Sequence, residues 1–254
     1  MENRYSLDGK VALITGSTRG IGYALARALA EAGADIIISS RSQKDCNQVA
    51  RELRDKTGEK VLPVEADISK LEEITNLKDA AINEYGAIDI LVNNAGVALT
   101  RKAEDISEEE WDKVLNINLK GAFFCAQTIG KEMIKREKGK IINISSIFGQ
   151  IAEKMIAPYC AAKGGINQLT KALALEWARY NIQVNAICPG YIKTSLNKKE
   201  LENEKFYNHI IAKIPARRLG SPEDIEEAAV FLASSASDYM TGHMLTIDGG
   251  WTTG

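Results

Sequence analysis

Seven short β-rich runs punctuate this chain, at Val11–Thr15, Asp35–Ser39, Val61–Glu65, Ile88–Asn93, Lys140–Ser145, Ile182–Ile187 and Met244–Ile247. Longer stretches of helical periodicity separate them: Ile21–Glu31, Gln43–Lys56, Leu71–Glu84, Glu108–Lys135, Pro158–Tyr180 and Pro222–Leu232. Gly33, Gly58, Gly86 and Gly139 mark helix stops, and Ser221-Pro222-Glu223-Asp224 is a helix start with a capping serine and acids on the dipole. Strands joined through helices pair in parallel, with the helices on the sheet faces. The runs DIIIS, IDILV and KIINI are almost wholly apolar, as strands covered on both faces must be. The alternation predicts an α/β fold: one doubly wound, seven-stranded parallel sheet with helices on both faces, in a single domain over residues 1–254. Segment 192–215 breaks the pattern and is rich in Lys and Glu. It reads either as a lid over a substrate cleft or as a solvated helical excursion.

A net charge of −2 and the lack of a basic patch point away from nucleic acid, and no apolar run is long enough to span a bilayer. The start, MENRYSLDGK, lacks the apolar core of a signal peptide. Cys46, Cys125, Cys160 and Cys188 are scattered and read as reduced thiols, so the expected compartment is the cytoplasm. His209 and His243 lie at no ligand spacing to them, and no metal is expected.

The turn between the first strand and first helix reads TGSTRGIG, with Gly16, Gly20 and Gly22. A strand, a tight glycine turn and a helix N-terminus present backbone N–H groups to a phosphate. In dinucleotide-binding units an acid near the end of the second strand grips the adenosine ribose. Here that strand ends Ser40-Arg41. Arg41, with Arg19 in the glycine loop, suits a 2′-phosphate, so NADP(H) is expected over NAD(H).

Further motifs follow in order: Asn93-Asn94-Ala95-Gly96, Asn118 in N-x-N-L-K-G, Ser146, Tyr159-x-x-x-Lys163, Pro189-Gly190-Tyr191-Ile192-Lys193-Thr194 and Asp248-Gly249-Gly250. Tyr159 and Lys163 are four apart on one helix and project from one face. An ammonium so placed is expected to lower the tyrosine pKa, making it an acid/base, with Ser146 holding the same substrate oxygen. Ser145 competes for that role, but strand alternation puts the two serines on opposite faces.

Together these motifs resemble the short-chain dehydrogenase/reductase family over essentially the whole chain. The resemblance implies a Rossmann-type fold and hydride transfer between a nicotinamide cofactor and a secondary alcohol or ketone. It assigns catalysis to Asn118, which would anchor a proton-passing water, and to Ser146, Tyr159 and Lys163. It assigns cofactor contacts to Gly16, Ser17, Arg19, Gly20, Ile21, Gly22, Arg41, Asp67, Ile68, Asn94, Ala95, Gly96, Tyr159, Lys163, Pro189, Gly190, Ile192 and Thr194. Asp67 reads equally as a helix cap, and Thr194 as a turn residue. Relatives form homotetramers through two long helices, here about 108–135 and 158–180, whose apolar faces also suit ordinary core packing.

The small-molecule substrate expected by resemblance is a sugar acid or polyol, as in gluconate 5-dehydrogenase-like members. The alternative is the 3-oxoacyl-carrier-protein reductase branch; a silent dinucleotide-binding sensor ranks below both, because the Ser/Tyr/Lys set is intact. After Gly96, Leu99-Thr100 stand where gluconate-type enzymes carry a basic pair, which is displaced to Arg101-Lys102. This departure weighs against carboxylate recognition there. Ile147, Gln150, Ile151, Glu153, Met155 and Ile156 are the pocket candidates, with Glu153 and Lys154 read chiefly as solvated loop charges.

Overall fold

The computed structural model describes residues 3–194, 197 and 201–253. Strands β1 (Val11–Thr15), β2 (Asp35–Ser40), β3 (Val61–Glu65), β4 (Ile90–Asn93), β5 (Gly139–Ile144), β6 (Ile182–Pro189) and β7 (Met244–Ile247) form one parallel sheet in the order β3-β2-β1-β4-β5-β6-β7. The helices are α1 (Gly20–Glu31), α2 (Gln43–Thr57), α3 (Leu71–Tyr85), α4 (Glu108–Leu115), α5 (Ala122–Arg136), α6 (Ala157–Trp177), α7 (Glu204–Lys213) and α8 (Glu223–Ala233). This is the doubly wound, Rossmann-like architecture that the alternation predicts.

Strand alternation splits the core into two layers. Ile14, Ile36, Ile38 and Val92 face Leu25 and Leu29 of α1, Leu53 of α2 and Ile225 of α8. Their neighbours Leu13, Ile37 and Leu91 face Leu77 of α3, Ile129 of α5 and Trp177 of α6. The first layer is also tied by charge: Arg27 on α1 pairs with Glu226 on α8.

Winding runs outward from β1 to β3, then in the opposite direction from β4 to β7. β1 and β4, paired from Ala12↔Ile90 to Ile14↔Val92, therefore flank the point of reversal. The loops beyond their carboxyl ends cannot cover each other, and a crevice opens there.

Two helical expectations are revised. The stretch 108–135 is not one helix: α4 gives way to a π-helical turn over Asn116–Gly121 before α5 begins. Gly121, the last residue of that turn, sits so close to Ile68 O that a Cβ would stand 2.7 Å from it. The stop at Gly139 also moves. Glu137 takes the left-handed cap (φ 49) after α5, and Gly139 opens β5 against Met133. Segment 192–215 lies partly outside the described residues; within it stands α7, capped by Asn203 Oδ1, which accepts the Phe206 N–H at 3.1 Å.

Candidate active site

The glycine turn is stitched to the loop after β4. Gly16 is left-handed (φ +64), and a Cβ on it would lie 2.8 Å from Ala95 Cα. A side chain on Gly22 would overlap Gly16 O and Asn94 Nδ2. Asn94 Nδ2 donates to Thr15 O and Gly16 O at 2.9 and 3.0 Å. Thr15 Oγ1 accepts the N–H groups of Asn94 and Ala95, each at 3.1 Å. The start of α1 has no side-chain cap bond and no acid in its first turn, so its dipole meets the crevice uncompensated.

That crevice is a cavity of about 980 Å³, at the upper end of the size usual for ligand sites. Gly16, Arg19, Gly20, Ile21 and Gly22 line it, with Arg41, Asp67, Ile68, Asn94, Ala95, Gly96, Pro189, Gly190, Ile192 and Thr194. Ser146, Tyr159 and Lys163 line the same cavity. These residues fit a dinucleotide: a glycine cradle that a Cβ would fill, an open helix N-terminus and two arginines at one end.

Two expected site residues do not line the cavity. Ser17 is fully buried; its hydroxyl donates to Ile14 O at 2.8 Å and accepts the Ser39 N–H at 2.9 Å. Its own N–H is taken by Ser39 O, so Ser17 joins β1 to β2 and has no donor free for a ligand. Asn118, in the π turn, accepts the Val97 N–H and donates to Val97 O, both at 2.7 Å. It fixes the backbone of the loop after Gly96 from behind.

Thr18, Ser40, Ser42 and Asp45 also line the cavity, without having been singled out in the sequence. The signal for three of them was the S-x-S-x-x-D spacing from Ser40 to Asp45: Ser42 caps α2 by accepting the Asp45 N–H at 3.2 Å. Asp67 does not cap α3, whose N-cap is Lys70 with no side-chain cap bond; its carboxylate closes a local turn before that helix. It accepts the Ser69 N–H and hydroxyl at 3.0 and 2.8 Å. Burial pushes its carboxyl up, but those bonds and the nearby Arg41 charge hold it below its ordinary value.

Ser146 follows β5 in extended backbone, its hydroxyl accepts the Phe148 N–H at 3.1 Å, and it lines the cavity together with Tyr159. Ser145 points the other way, as alternation requires, donating to Asn167 Oδ1 at 2.6 Å and to Lys163 O at 3.3 Å. Lys163, 5% exposed, donates to Ile144 O at 2.7 Å, and its Nζ lies 5.6 Å from the Tyr159 ring centre. Both ionisable groups are governed by burial. It pushes the Tyr159 hydroxyl up to about 12 against the lowering influence of the Ser146 hydroxyl, and lowers Lys163 to about 8. Desolvation of the phenolate thus works against the expected depression of the Tyr159 pKa, and the ammonium meant to provide it is directed at a strand carbonyl.

Beyond Ser146 and Tyr159 the cavity wall includes Val97, Thr100, Phe148, Ile156, Tyr191 and Phe206. Of the expected pocket residues, Glu153 and Ile156 line it, whereas Ile147 is fully buried and Ile151 and Met155 face solvent. Gln150 instead donates to Thr246 Oγ1 at 2.9 Å. Lys154 lines the cavity and is exposed to solvent, as the solvated reading expects, while Glu153 is half-buried. Arg101 and Lys102 do not line it, and Arg101 pairs with Glu110 at 3.2 Å.

A strand-turn-helix phosphate cradle at a topological switch point, opening into one cavity with a serine, a tyrosine and a lysine, defines a nicotinamide-type oxidoreductase site. The chain belongs to the short-chain dehydrogenase/reductase family. A family model described as enoyl-(acyl carrier protein) reductase matches residues 16–252. The 2-dehydro-3-deoxy-D-gluconate 5-dehydrogenase of Bacillus subtilis (strain 168) is 46% identical, over 99% of this chain and 98% of its own. The NAD-dependent glycerol dehydrogenase of Listeria innocua is 42% identical, over 98% of this chain and 96% of its own. A crystal structure of a gluconate 5-dehydrogenase from Burkholderia cenocepacia J2315, in complex with NADP and tartrate, is 42% identical. It superposes with a TM-score of 0.96 over 99% of this chain and 98% of that one. The protein is an oxidoreductase acting on CH–OH groups.

Proposed function

We propose that this enzyme interconverts a secondary alcohol and a ketone on a sugar acid, with NADP(H) preferred over NAD(H). The observation that carries the reading is the meeting of Ser146, Tyr159 and Lys163 with the glycine cradle in one cavity. A bound nicotinamide supplies the acceptor or donor of hydride. Ser146 Oγ holds the substrate oxygen, and Tyr159 Oη gives it a proton in reduction or takes one in oxidation. Lys163 supports the proton path from beneath, and Asn118 fixes the loop that borders the substrate.

Arg19 and Arg41 support NADP(H): both line the adenosine end and neither has an ion-pair partner among the described residues. The glycine turn, Asp67-Ile68, Asn94–Gly96, Pro189-Gly190, Ile192 and Thr194 complete the proposed cofactor site. Relatives named for gluconate derivatives support the sugar acid. The 3-oxoacyl-carrier-protein alternative gains no support from the relatives reported above. We extend the reading to a cytoplasmic homotetramer: Leu175 on α6 and Trp111 on α4 remain exposed in the single chain. Light scattering checks that assembly.

Tyr159→Phe tests the core of the proposal. Turnover of 5-ketogluconate should fall by about 10²–10⁴-fold, the usual contribution of general acid–base catalysis. NADPH binding should stay within a few-fold of the parent. Near-full activity in this variant refutes the assignment.

A further inference from the structure

Besides Lys163 and the charged groups placed above at the cofactor end, Arg19, Arg41, Asp45 and Asp67, the charged described residues lining the cavity are Glu153 and Lys154, the latter exposed to solvent. Both stand in the loop that leads into α6, a few residues before Tyr159. Glu153 is committed: one oxygen accepts the Lys154 N–H at 2.9 Å, and the other lies 3.8 Å from Lys213 Nζ of α7. Lys213 itself sits over the Trp251 ring at 5.4 Å. The Lys154 ammonium has no ion-pair or hydrogen-bond partner among the described residues. Away from the two arginines, Lys154 thus brings to the wall a solvent-exposed positive charge with no ion-pair partner among the described residues.

The backbone beside it is built at a cost. Met155 is left-handed (φ 67), a conformation unfavourable for a residue with a side chain. Its carbonyl is held by the Arg101 N–H at 2.7 Å, from the loop after Gly96. The same loop's Arg101 and Lys102 do not line the cavity, and Arg101 pairs with Glu110. One loop therefore spends its backbone on fixing the turn that presents a cation from the other.

We infer that Lys154 is a specificity-determining residue of this enzyme, binding the carboxylate of the substrate while Ser146 and Tyr159 hold its reacting oxygen. The inference rests on the sugar-acid reading above. An ammonium–carboxylate hydrogen bond at a cavity wall favours the acid over a neutral polyol of the same length, and salt weakens it.

The test compares the parent with Lys154→Gln and Lys154→Glu, using 5-ketogluconate, a neutral polyol and NADP⁺-loaded enzyme titrated with tartrate. In Lys154→Gln the KM for 5-ketogluconate should rise about tenfold or more, with kcat changing far less. The ratio of kcat/KM for the acid to that for the polyol should fall equally. Lys154→Glu should be worse still, and the parent's KM should rise with ionic strength more steeply than the variant's. An unchanged KM for a sugar acid that the parent turns over overturns the inference and leaves the proposed function standing. If the parent turns over no sugar acid, that reading fails, and tartrate decides separately. Binding weakened tenfold by Lys154→Gln upholds a carboxylate site at Lys154. Equal binding, or none to the parent, overturns it.

Discussion

Tyr159 and Lys163 share a helix face, as their spacing requires, yet burial pushes the tyrosine hydroxyl up, against the lowering expected from the ammonium, and pushes the lysine down. Spacing gives proximity but not hydration, and the dominant influence on both groups is burial. A charged Lys163 costs the folded state free energy wherever the unfolded chain would still bind that proton. Its pKa falls from 10.5 to about 8 on folding, so the penalty is complete below pH 8 and disappears as pH rises through 10.5. The shift corresponds to about 3 kcal/mol. Lys163→Met should therefore be at least as stable as the parent at pH 7 despite losing the bond to Ile144 O. That relative advantage should shrink by a few kcal/mol near pH 10.5, as paired denaturant titrations would show. A constant difference across this range would mean that Lys163 is not desolvated. The variant should lose turnover, so that stability and activity move in opposite directions.

Strand and helix positions were legible because apolar periodicity reports directly on burial. The two-layer core follows from alternation, as does the choice of Ser146 over Ser145. What remained hidden depends on distant contacts. The π turn ends at Gly121, where a side chain would meet Ile68 O, and nothing in the local pattern of 108–135 signals an inserted residue. Ser17 stands in the cofactor loop, yet its hydroxyl joins two strand ends. Asn118 shows the same limit: its side chain forms two bonds to Val97 across the fold. Asn118→Ala should cost about 1–3 kcal/mol through the peptide groups left unpaired, and should raise the KM for substrate more than the Kd for NADPH. Gly22→Ala should act on the other loop. The methyl must displace Asn94 or the Gly16 carbonyl, so NADPH affinity should drop about tenfold or more, alongside a lower Tm. Unaltered affinity in a fluorescence titration would show that the cradle can relax without cost.

At the scale of the whole molecule, the sheet order places the cofactor cleft where β1 and β4 diverge, with Arg41 at the end of β2 and Tyr159 across the switch on α6. A ligand that bridges these halves stabilises the native chain by mass action, about 2.7 kcal/mol at one hundred times its Kd. In a chain of this size that corresponds to a Tm rise of about 5–10 °C. On the proposed reading, in which Arg19 and Arg41 meet a 2′-phosphate, NADPH should give this shift at a lower concentration than NADH. Asp45 lines the same end and carries the opposite charge. Replacing Arg41 by Ser leaves that carboxylate facing the phosphate, so Arg41→Ser should weaken NADPH binding at least tenfold while NADH changes only a few-fold. Thermal-shift titrations of both proteins with both nucleotides separate the outcomes. Loss of the NADPH advantage in the variant assigns it to Arg41. An advantage that survives puts the phosphate on Arg19, and equal shifts in the parent rule out a 2′-phosphate site at this end of the cleft.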